Sequence, residues 1–142
     1  MARFRIALLA LSLGFVNGCG GDSTGTDTPQ NPPPPAAGTN DINIAVGASQ
    51  LTTTAFSPNP KAVSLGSNPS VSVRWVNKDI TEGDYVSGTA TAHNIASDNG
   101  AFATSGSLGG NGTFSASFTA AGSYPYHCAI HPNMVGTVTV NP

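Results

Sequence analysis

Cys128, His131 and Met134 share one short stretch, Tyr-Pro-Tyr-His-Cys-Ala-Ile-His-Pro-Asn-Met-Val from Tyr124 to Val135. Cys128 is one of only two cysteines, and Met134 is the only methionine besides the initiator. A thiolate, an imidazole and a thioether, each separated from the next by two residues, can converge on a single soft metal ion. Two imidazoles, one thiolate and a weak, long axial methionine are the ligand set that holds copper for electron transfer. The stretch supplies three of these four, and His93 is the upstream candidate for the fourth. Each residue also has an ordinary reading: an inert buried thiol, a surface histidine and a core methionine. All three together at this spacing make the ordinary readings poor.

Those side chains need a scaffold that brings residue 93 to residue 128. The chain has 142 residues, only 8% of them charged, with abundant Gly, Ser, Thr and Pro. That composition suits short strands and many turns. Ile42 to Val46 alternates apolar and polar residues as a first strand does. Phe56 to Pro60 reads as a turn, and Lys61 to Leu65 as a second strand. Val71, Val73 and Trp75 share one strand face with Ser72 and Arg74 on the other, and Trp75 reads as core. Thr89 to Ala96 reads as a strand carrying His93-Asn94. Phe114, Ala116 and Phe118 alternate as a buried face, and Val138 and Val140 point inward on a last strand. Short strands at regular spacing predict an all-β, two-sheet Greek-key sandwich.

The first forty residues read differently. Arg3 and Arg5 precede an apolar run of eleven residues from Ile6 to Val16, too short to span a bilayer and suited to a signal peptide. Val16-Asn17-Gly18-Cys19 resembles a bacterial lipobox, which implies lipid attachment at Cys19. Residues 19–40 are a Gly/Ser/Thr/Pro-rich linker with four consecutive prolines, an extended spacer. The expected organisation is therefore 1–18 signal peptide, 19–40 anchor and linker, and 41–142 folded domain. Without the leader, Lys61, Arg74 and Lys78 stand against seven acidic residues, a formal charge of −4. No basic patch remains for nucleic acid. With Cys19 lipidated in an oxidising compartment, Cys128 has no disulfide partner, and a metal is the simplest occupant for its thiol.

The run Val73-x-Trp-Val-Asn-x-Asp79, then His93-Asn94, then Gly122-x-Tyr-Pro-Tyr-His-Cys-x-x-His-Pro-x-Met134 resembles the plastocyanin/azurin family of blue copper proteins, the cupredoxins. The Cys-x-x-His-x-x-Met spacing is most similar to that of the amicyanins. The resemblance covers Val71 to Val140 well and the first strands loosely. It implies one type 1 copper ion held by His93, Cys128, His131 and Met134, with Asn94 bracing the thiolate and the loop. It also implies one-electron transfer between envelope partners, with docking near His131, Pro132, Ile130 and Phe102, in a periplasmic or outer-face, lipid-anchored monomer. Ile130 stands where amicyanins have proline, so its N–H is expected to give the Cys128 sulfur a second hydrogen bond. The segment from Ile80 to Ala92 is longer than in compact relatives.

Other functions fit less well. Zinc does not use methionine as a usual ligand. With His93 and His131 taken, only His127 remains, too few histidines for a second catalytic metal, so no enzyme activity is expected. His127 follows Tyr126 and precedes Cys128 on a strand, which turns it to the face opposite the thiol. Copper delivery or tolerance, and a structural cell-surface sandwich, are the competing roles.

Overall fold

A computed structural model describes residues 40–80 and 90–142 of the chain. The expected signal peptide, the Cys19 anchor, most of the linker and the centre of the 80–92 segment lie outside the described residues. Among the described residues, eight strands form two four-stranded sheets. They are β1 (Asp41–Ile44), β2 (Phe56–Ser57), β3 (Lys61–Ser64), β4 (Val71–Asn77), β5 (Ala96–Ser97), β6 (Thr113–Phe118), β7 (Gly122–His127) and β8 (Val135–Asn141). One sheet has the order β2-β1-β4-β6 and the other β3-β8-β7-β5. β1 runs parallel to β4, and β3 parallel to β8; the remaining pairs are antiparallel. The result is the all-β, two-sheet sandwich that the alternating pattern predicts.

The core lies where the inward faces of the sheets meet. From β4, Val73 and Trp75 are fully buried, while Ser72 and Arg74 turn outward, and Arg74 pairs with Asp41 at 2.6 Å. Ile42 and Ile44 of β1, Phe56 of β2, Tyr126 of β7 and Val138 of β8 complete the layer. Trp75 and Tyr126 meet edge-on with centroids 5.2 Å apart, and Phe56 meets Tyr126 at 4.9 Å. Burying each large side chain of this kind contributes about 1.5–3 kcal/mol. Gly136 is required by the fit: a Cβ there would lie 2.8 Å from Cε2 of Tyr126 and closer still to its Cζ and Oη.

Two expectations need correction. His93 does not lie on a strand running from Thr89 to Ala96. It forms an isolated bridge with Leu108, and among the described residues of this stretch the ladder is limited to the two-residue β5. Side chains replace the missing ladder, as described below. Phe56 to Pro60 is a turn that begins with the short strand β2, and the bonds before Pro58 and Pro60 are cis. Phe102 is half-buried, with its ring 5.6 Å from Trp75 and 5.9 Å from Phe114, so part of its apolar surface packs on the core.

Candidate metal centre

Cys128 follows the last residue of β7, and β8 begins at Val135, so the metal-ligand candidates occupy the connection between two paired strands. That connection folds back on itself. His131 N–H donates to Cys128 O at 3.1 Å, Met134 N–H to His131 O at 3.0 Å, and Cys128 N–H to Met134 O at 3.1 Å. Successive tight turns bring His131 and Met134 back beside Cys128. Cys128 and Met134 are fully buried, His131 is half-buried, and Ile130 is turned out at 47% exposure.

His93 arrives from the facing segment, fully buried. Its backbone exchanges hydrogen bonds with Leu108, His93 N–H to Leu108 O at 3.2 Å and Leu108 N–H to His93 O at 2.7 Å. Asn77, at the end of β4, holds this segment down. Its Nδ2 donates to Thr91 O and Leu108 O, both at 2.8 Å, and its Oδ1 accepts from Asp79 N–H at 2.9 Å. Asp79 in turn places a carboxylate oxygen 2.8 Å from His93 Nε2. Sequence reasoning gave neither Asn77 nor Asp79 a part in the site, although both sit in the Trp-Val-Asn-x-Asp run.

His93 Nδ1 and His131 Nδ1 each lie 3.8 Å from Cys128 Sγ, and 3.2 Å from one another. These three side chains form the one cluster of metal-ligating groups among the described residues. Ligands held about 2.0–2.3 Å from one ion in a trigonal arrangement stand roughly 3.5–4 Å apart. Two of the separations match, and the third is slightly tight. Two imidazole nitrogens, a thiolate and a buried thioether are also the donor chemistry that suits copper in both oxidation states.

Burial pushes the Cys128 thiol up. Hydrogen bonds from the His93 side chain, the backbone amides of Asn94 and His131, and the His131 ring outweigh it and hold the pKa at about 6. Burial pushes His93 down, but hydrogen bonds and charge from Cys128 and Asp79 outweigh that and raise it. Ile130 does not reach the sulfur. Its N–H points to Asn94 Oδ1 at 3.3 Å, which also accepts from Ala129 N–H at 2.7 Å. The turn closed by His131 N–H and Cys128 O aims both amides at Asn94, so the sulfur takes the amides of Asn94 and His131. Asn94 is therefore the strap between the His93 segment and the ligand loop. Asn94→Ala is expected to lower stability by about 1–2 kcal/mol. It should also accelerate hydrogen exchange at the Ala129 and Ile130 amides, measured by NMR. His127 faces away from the cluster and pairs with Asp98.

The model of the family "Copper binding proteins, plastocyanin/azurin family" matches residues 39–141, and the chain belongs to that family. His93, Cys128 and His131 fit one type 1 copper ion. Among solved structures, a purple cupredoxin from Nitrosopumilus maritimus is 29% identical, with a TM-score of 0.56. The match covers 71% of this chain and 98% of that one. A reduced Cu(I) form of an amicyanin variant at pH 4 is 24% identical with a TM-score of 0.54, covering 75% of this chain and 85% of that chain. An oxidised amicyanin variant gives the same values. At that identity the amicyanin likeness speaks to fold alone. Comparison with curated protein sequences returned no match.

Proposed function

We propose that the protein is a one-electron carrier of the cell envelope, tethered through lipid on Cys19 and exchanging electrons with redox partners through the edge of His131. The observation that carries this reading is the convergence of His93, Cys128 and His131 donor atoms within 4.8 Å. Such a site supplies soft sulfur for copper(I) and imidazole for copper(II). Because the sandwich fixes the ligands from two separate segments, little has to move when an electron arrives, which favours fast transfer. His131 is the only one of these three ligand residues that reaches solvent, and Ile130 beside it gives an apolar rim. Contacts between redox proteins at such a rim are small and transient. No catalytic role is assigned to the chain.

The test is a visible absorption spectrum of the purified protein with one equivalent of copper(II), beside Cys128→Ser. An intense thiolate-to-copper band is expected, bleached reversibly by ascorbate and absent from the variant. A weak, colourless complex would point to copper delivery or tolerance instead. No binding at all would leave a structural role for the sandwich.

A further inference from the structure

Two N–H groups converge on one buried carboxylate. Asp79 is 5% exposed; its Oδ1 accepts the backbone N–H of Gly47 at 2.7 Å, and its Oδ2 lies 2.8 Å from His93 Nε2. Gly47 has φ 70, in the left-handed region that favours glycine, so the backbone itself aims that amide. The Asp79 backbone is fixed in turn by Asn77 Oδ1. A carboxylate can only accept, so His93 Nε2 must carry the proton that joins them. With Nε2 protonated, Nδ1 either donates to the Cys128 sulfur, in the imidazolium, or carries the lone pair that a metal would take, in the neutral ring. Nδ1 is the atom that faces Cys128 Sγ and His131 Nδ1.

We propose that Asp79 is the positioning residue of the metal centre. It holds the proton on His93 Nε2 and so keeps Nδ1 turned to the ligand cluster, and its negative charge biases the loaded site toward the oxidised ion. The second half rests on the copper reading given above; the first does not. A carboxylate behind a ligating histidine fixes its orientation and raises its basicity. A buried negative charge close to the ion also favours the more positive oxidation state. An amide could not replace it without loss. Its single oxygen could accept from Gly47 or from His93, and its NH2 group would face the other N–H.

The experiment has two parts, both on the full chain. In the metal-free wild type, ¹⁵N spectra of the His93 ring should show Nε2 protonated at neutral pH, whether or not Nδ1 also carries a proton toward Cys128. A ring protonated at Nδ1 with Nε2 bare would overturn the positioning role without any variant having to fold. In the copper-loaded Asp79→Asn protein, preference for copper(I) over copper(II) should rise about tenfold, read by voltammetry as an upward shift of about 59 mV. An unchanged or lower potential would overturn the charge role. A wild type lacking the thiolate-to-copper band would remove the copper reading, while the ¹⁵N measurement would still decide the positioning role of Asp79.

Discussion

Asn77→Leu should destabilise the protein by roughly 3–5 kcal/mol and weaken copper binding, although Asn77 touches none of the ligand atoms. The side chain is fully buried and makes three hydrogen bonds, to Thr91 O, Leu108 O and Asp79 N–H. Leucine fills much the same volume, so packing changes little and the hydrogen bonds are what is lost. Leu108 O keeps a second donor in His93 N–H. Thr91 O and Asp79 N–H lose the side chain that satisfies them, at about 1–3 kcal/mol for each group left unsatisfied. The segment bearing His93 joins no strand ladder at that residue and is held by scattered bonds to Leu108, Asp79 and Ser105 besides this clamp, so it should loosen first. Urea unfolding gives the stability change, and competition for copper(I) with a chelator gives the affinity. A loss below about 1 kcal/mol would mean that the segment is held by something other than Asn77.

The contrast between Asn77 and the ligand loop shows what was legible in the sequence. Cys128, His131 and Met134 are close in the chain, and their spacing alone predicts that one turn can gather them. Val73 and Trp75, and Ala116 and Phe118, announce their inward faces by alternation, because a half-buried strand has period two. His93 was legible as a residue but not in its setting. The expected strand around it has no ladder to join for most of its length, and the tie comes from side chains on β4.

Asp79 was harder still. An acidic residue followed by a polar, turn-rich stretch reads as solvated, and nothing local indicates burial. Its partners are His93, fourteen residues away, and Gly47, thirty-two away. The direction of the Ile130 amide likewise depends on Asn94, brought in from another segment by the fold. The core side of Phe102 was not legible either: nothing in its Gly/Ser-rich surroundings tells that the half-buried ring packs on Trp75.

The metal-free protein should gain stability on Cys128→Ser as pH rises from about 6 to 9. The thiol pKa is about 6 in the folded state against an ordinary value near 9. A depressed folded pKa stabilises the fold fully above the unfolded value and loses that contribution as pH falls through the folded one. Three pH units at about 1.4 kcal/mol each set an upper bound of about 4 kcal/mol. His93 works in the other direction. Its pKa is raised, so its contribution is complete below about 6.5 and fades as pH climbs through its folded value, trimming the gain. The net expectation is a gap between wild type and Cys128→Ser that widens by about 2–4 kcal/mol over this range. Urea unfolding with chelator and reductant present, at several pH values, measures it directly. A gap that stays flat between pH 6 and 9 would mean that the hydrogen bonds around Cys128 do not hold a thiolate until metal arrives.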